Sequence, residues 1–273
     1  MRFFQNVLRI MDTSMTEPIP YGWFHILCFF LAVAAGVLLC LWHKRNPADR
    51  QRKVIFWITI VTIVLELYKQ INYSFSYENG VTFDYQWYIF PFQFCSTPMY
   101  IGLLAGLTRE GKVHRSAMAY LATFSLFAGL CVMFYPNDVF ISTIGINIQT
   151  MYCHGSMVAM GIYLLGTGYV KIEKKTLLRA VPVFSVCVVL AVIMNEIAFR
   201  SGLLETETFN MFFVSPHCDP SLVVYSLVQQ HVAFPWCLLI YIAGFTAAAG
   251  IILLLAGGIG RLIRAMRKTP VLG

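Results

Sequence analysis

The stretch FPFQFCSTPMY, residues 90–100, places one cysteine between two prolines. Pro91, Cys95 and Pro98 fall at i, i+4 and i+7, so on a helix they share one face. Pro98 has no N–H to offer the Phe94 carbonyl, and Pro91 has none for Trp87. Two freed carbonyls then flank the thiol, and Ser96 and Thr97 are the hydroxyls placed to satisfy them. Such freed groups are tolerated at membrane depth only where protein, hydroxyls or water meet them. A thiolate attacks an ester or thioester carbonyl and forms an acyl-enzyme. That chemistry wants a base, and His154 in INIQTMYCHGSMVAMGIYLLG is the candidate. Gly155 beside it allows another backbone or a ligand to approach closely. Cys153 projects about 100° away on a helix and reads as packing.

Other polar side chains stand where the solvent is wrong for them. An ionisable group at the bilayer centre costs roughly 2.5–3.5 kcal/mol on insertion scales, so each needs a partner. Thr59, Thr62, Glu66, Lys69, Gln70 and Tyr73 recur at steps of three and four, forming one stripe. Glu66 and Lys69 are spaced to pair. They are read either as a buried structural pair or as a cavity wall with Glu66 orienting a catalytic group. Asn147, Thr150 and His154 make a second stripe. Asn195 and Glu196 close one apolar run, and His231 opens the next at the same level, one turn before Pro235.

The elements that must carry these residues are membrane helices. The chain has 273 residues, 58% hydrophobic and 12% charged, with a mean hydropathy of +0.69. Soluble domains are nearer a quarter charged. Seven runs approach the roughly 20 residues a span requires, at about 21–42, 54–73, 86–107, 115–135, 143–170, 177–199 and 232–259. Of the 20 Lys and Arg, 16 fall after the first, third and fifth runs and in the C-terminal tail. This alternation predicts an outside N-terminus and a cytoplasmic C-terminus. The expected architecture is an all-α, seven-transmembrane-helix bundle of the cell membrane over residues 21–259. An amphipathic interfacial leader at 1–20 precedes it, ended by Pro18 and Pro20, and a basic tail at 260–273 follows. The loop at 201–230 carries NMFFVSPHCDP and reads as a lid or re-entrant piece, or equally as an extracellular helix packed on the bundle.

Several function classes drop out. The net charge of +7 sets topology in short loops and is not a nucleic-acid footprint. Six scattered histidines give no zinc cluster, the last run has no lysine for a Schiff base, and the eight scattered cysteines give no disulfide framework. No metal and no cofactor are expected. No internal repeat supports a two-fold transporter design. Gly102 and Gly106 mark a close helix contact. Two readings stand: a membrane-embedded acyltransferase or thiol-dependent hydrolase acting on lipid acyl chains, and a small-solute transporter or binding receptor using the same polar cavity.

The segments FPFQFCSTPMYIGLLAGLTR, YCHGSMVAMGIYL, MNEIAF with FNMFFVSPHCDPSLVVYSL, FPWCLLIYI and LELYKQ together resemble the YwaF-type family of integral membrane proteins. Eukaryotic relatives of that family include a cysteine-dependent transmembrane phospholipid acyltransferase. The resemblance implies seven helices, Cys95 as nucleophile, His154 as its base, Asn195 near the site and membrane lipids as partners. One departure falls at the site: the family carries a His two residues before the cysteine, and this chain has Gln93.

Overall fold

The computed structural model describes residues 2–45, 50–78, 80–137, 139–202, 204, 208–218 and 223–268. It is 75% helical, and five of its helices are long and apolar enough to cross a membrane. In chain order the helices are α1 (Arg2–Met11), α2 (Trp23–Arg45), α3 (Gln51–Ser74), α4 (Thr97–Leu107), α5 (Lys112–Phe134), α6 (Ile144–Gly166), α7 (Lys174–Ser201), α8 (Val223–Gln229) and α9 (Phe234–Lys268). The five long apolar ones are α2, α3, α5, α7 and α9. A two-residue hairpin pairs β1 (Phe75–Ser76) with β2 (Thr82–Phe83) in antiparallel register.

Helix α6 is the axis of the bundle. It packs on α2, α3 and α5, while α3 lies against α4 and α5 against α7. Glycines set the closest of these seams. A Cβ on Gly129 would sit 2.8 Å from the His154 carbonyl oxygen, and one on Gly161 would sit 2.7 Å from Leu126 Cβ. With no side chain in the way, α5 and α6 meet nearly backbone to backbone, which compensates for the weak drive to associate in lipid. Gly102 and Gly106 do the same between α4 and α3, against Thr59 and Phe56. Their close contact is therefore spent inside the bundle. Helix α5 carries a π-helical turn at Leu121–Ser125, fully buried, where Thr123 Oγ1 donates to the Ala119 carbonyl.

Three boundaries differ from the sequence expectation. The run expected as one helix over 86–107 is a single 3₁₀ turn at Trp87–Ile89, then non-helical backbone, and becomes a helix only at Thr97. Two prolines seven residues apart do not kink a continuous helix here; Pro98 instead sits in the first turn of α4, where a missing N–H costs nothing. Helix α1 stops at Met11, well before Pro18. It is strapped down by Asp12, which accepts from Tyr77 (2.9 Å) and Thr143 (3.1 Å), and by Tyr68, which donates to the Met11 carbonyl. The Asp12 carboxylate thereby holds the Tyr77 phenol above its usual range. Leu8 is buried while Phe3 and Ile10 stay exposed. Finally, α9 runs through Lys268, because nothing after 259 breaks it; residues 269–273 of the expected tail lie outside the described residues.

Replacing Gly129 with Leu is expected to destabilise the fold by about 1–3 kcal/mol in detergent-denaturation titrations, through overpacking against the α6 backbone. Gly258→Leu, where a new side chain meets open space, is expected to leave the midpoint unchanged.

Candidate functional site

The non-helical stretch Phe90–Ser96 is held by its own neighbours. The Trp87 carbonyl accepts from Phe90 N–H, and the Gln93 carbonyl accepts from Ser96 and Thr97 N–H. Thr97 Oγ1 donates to the Phe94 carbonyl at 2.9 Å, and Tyr100 donates to the Pro91 carbonyl at 2.8 Å. The carbonyls expected to hang free beside the thiol are therefore satisfied locally. This leaves Cys95 half-buried, two residues ahead of α4.

The loop at 201–230 supplies a second irregular piece. Phe209, Met211, Phe212, Val214 and Ser215 are buried in the bundle, around a 3₁₀ turn at Met211–Phe213. Residues 203, 205–207 and 219–222 of that loop lie outside the described residues. Phe212 and Phe213 hold positive φ values of 58° and 57°, a conformation that costs a non-glycine residue about 1–2 kcal/mol. Two side-chain amides hold it there. Gln93 donates to the Asn210 carbonyl (3.1 Å) and accepts from Phe212 N–H (3.0 Å). Asn195 donates to the Met211 carbonyl (3.0 Å) and accepts from Met211 N–H (2.7 Å). Tyr241 donates to the Phe212 carbonyl. The Phe212 ring then packs on Phe92, Phe94 and Phe184. Residues 209–215 form a plug set into the bundle, with only Phe213 of their large apolar side chains exposed, rather than a surface helix. Gln93 offers one donor and one acceptor on the same flat group, which is what adjacent backbone groups require.

Beneath Cys95 lies a cavity of about 10 Å³ lined by Thr59, Thr62, Cys95, Cys153 and Ser156 among others. It has room for about one water molecule. Thr59 Oγ1 is buried there without a hydrogen-bond partner. Cys153 Sγ lies 3.7 Å from the Cys95 carbonyl oxygen and donates to it. Glu66 is 6% exposed and is fully engaged. It pairs with Lys69 at 2.8 Å, accepts from Gln70 at 2.8 Å and accepts from Gln149 at 3.1 Å. Gln70 in turn donates to the Ile89 carbonyl and accepts from Tyr85.

His154 is buried, and its Nδ1 faces the Thr150 carbonyl at 2.8 Å. A carbonyl only accepts, so Nδ1 carries the proton of the neutral ring and Nε2 keeps the lone pair. Among the described residues no hydrogen bond joins His154 to Cys95. Asn147 is fully buried and spends its amide on both backbone groups of Ile141, plus Met15 Sδ. Asn195 and Gln93 are spent on the plug. His231 is exposed at the turn before α9, and His25 bridges Tyr21 N–H to the Met133 carbonyl. The structure thus joins Cys95 to Cys153 and Glu66 to Lys69, Gln70 and Gln149, spends Gln93 and Asn195 on the plug and His154 Nδ1 on its own helix, and sets Asn147 and His231 apart. Gln149, Tyr85 and the Cys153 contact were missed. The signal for Gln149 and Cys153 was the alternative stripe Gln149, Cys153, Ser156, spaced i, i+4, i+7; nothing in the spacing pointed to Tyr85.

Asn195→Ala and Gln93→Ala each strand buried backbone groups of residues 210–212. Each is expected to cost about 1–3 kcal/mol and to speed amide exchange at 210–214 well before the rest of the bundle opens.

A family model described as the TMEM164 family matches residues 20–255, from the approach to α2 through most of α9. No curated protein and no solved structure matches the chain.

Proposed function

This chain belongs to the TMEM164 family, and we propose that it is a thiol-dependent acyltransferase or hydrolase working on lipid acyl chains within the membrane. On this reading it crosses the bilayer seven times. Helix α6 and the broken segment Trp87–Leu107 join the five long apolar helices, with the N-terminus outside and the C-terminus in the cytoplasm of a cell membrane. The likeness to YwaF-type proteins and their cysteine-dependent acyltransferase relatives points the same way.

The observation that carries the reading is the setting of Cys95. A broken segment holds this thiol beside a one-water cavity with an orphaned hydroxyl. Each has a use in acyl transfer. With substrate bound, the Cys95 sulfur attacks the carbonyl carbon of a lipid ester while its proton passes to His154 Nε2, a contact that this reading requires to form in the substrate complex. The developing oxyanion accepts from Thr59 Oγ1, a hydroxyl at the cavity with no hydrogen-bond partner. Collapse expels the lipid alkoxide, which takes the proton back from the imidazolium and leaves a Cys95 thioester. An acceptor alcohol or water then attacks that thioester. An apolar groove of about 680 Å³ along α2 and α6 shares Ser156 with the thiol cavity, so an acyl chain lying there passes within one side chain of the sulfur.

The solute-transport reading fares worse because the polar groups it needs are spent. Glu66 is closed by three partners, Asn147 by Ile141 and Asn195 by Met211.

In vesicles containing a phospholipid and a lysophospholipid acceptor, acyl exchange is expected to vanish in Cys95→Ser. His154→Gln and Thr59→Val are expected to slow it about 10²–10³-fold. Full exchange by Cys95→Ser overturns the reading.

A further inference from the structure

Trp42 and Ile58 each line two cavities at once. One is the apolar groove, which runs along α2 from Phe24 to Trp42. The other, of about 490 Å³, opens at the start of α3 between Trp42, Arg50, Lys53 and Trp57. Together they make an apolar channel with a cationic mouth. At helical rise the channel is roughly 27 Å long, close to the roughly 30 Å of a hydrocarbon core.

The mouth is built for an anion. The Arg50 guanidinium lies 5.1 Å from the Trp42 ring centroid, which orients it without neutralising it. Arg50 is also the N-cap of α3, and its own side chain makes no capping hydrogen bond to that helix. Its first-turn N–H groups and positive dipole end are therefore directed at the same place. Among the described residues no carboxylate pairs with Arg50 or Lys53. Trp42 and Trp57 supply amphipathic rings of the kind found at headgroup level. A free anion would leave the groove unused, and a neutral hydrocarbon would leave the cations unused. Among the described residues that line the mouth, no carboxylate is present to meet the ammonium group of a zwitterionic head.

We propose that this groove seats one anionic glycerophospholipid, its phosphate between Arg50 and Lys53 and an acyl chain laid between α2 and α6. The seat stands on the groove and its cations alone, so its failure and the failure of the Cys95 chemistry are separate results.

The test is native mass spectrometry of delipidated full-length protein titrated with phosphatidylglycerol or phosphatidylcholine of equal chain length. One phosphatidylglycerol per chain is expected to be retained in preference to phosphatidylcholine. R50Q/K53Q is expected to weaken it about fivefold for each cation removed, roughly 30-fold for both. The charge-conserving R50K/K53R is expected to retain it, showing that the helix start still folds. Ala35→Trp, which fills the groove wall and spares the mouth, is expected to lose it. Equal retention of the two lipids, unchanged binding in R50Q/K53Q or Ala35→Trp, or displacement by inorganic phosphate overturns the proposal.

Discussion

A peptide group that leaves the helical ladder inside a bilayer has no water to turn to. Among the described residues, two irregular pieces are packed into the bundle, Phe90–Ser96 and residues 209–215, and they answer each other. Gln93 on the first binds the backbone of the second, and Asn195 on α7 binds the residue between Gln93's two partners. The left-handed turn at Phe212 and Phe213 persists because two amides, a tyrosine hydroxyl and an aromatic cluster over-determine it. Remove that mutual satisfaction and neither stretch has reason to stay inside the bundle.

The site follows from this arrangement. A continuous helix over 86–107 would bury the Cys95 backbone in its own hydrogen bonds. The break instead leaves the Cys95 carbonyl to accept from Cys153 on α6, next to a cavity with one orphaned hydroxyl. The buried Glu66–Lys69 pair is costly to desolvate, and removing one partner of such a pair typically costs about 3–5 kcal/mol. Here it is stitched to α6 by Gln149 and to the start of the broken segment by Gln70. Charge, thiol and broken backbone thus form one connected unit. Helix α6 carries much of it, held at close range by glycine seams.

Much of the fold was legible in the sequence, because a long apolar run bounded by basic residues has few other destinies. The stripe Thr59, Thr62, Glu66 was legible too, since its members share one helix and one spacing. The break before α4 was not. Two prolines seven residues apart fit a kinked helix as well as a half-helix, and local spacing cannot say which carbonyls will find hydroxyls. Helix α6 held a harder ambiguity. Asn147, Thr150 and His154 have helical spacing, but so do Gln149, Cys153 and Ser156, and only packing against α3 shows which stripe meets Cys95. The role of Gln93 was hidden for a similar reason: its partners lie 117 and 119 positions away.

The functional account rests on the sulfur of Cys95 carrying an acyl group during turnover. Intact and peptide mass spectrometry of protein quenched during reaction with a phospholipid tests this directly. The account predicts a mass increase equal to the substrate's acyl chain, mapped to Cys95 and released by hydroxylamine. An adduct mapped to another cysteine, or lipid turnover with Cys95 never acylated, would contradict it.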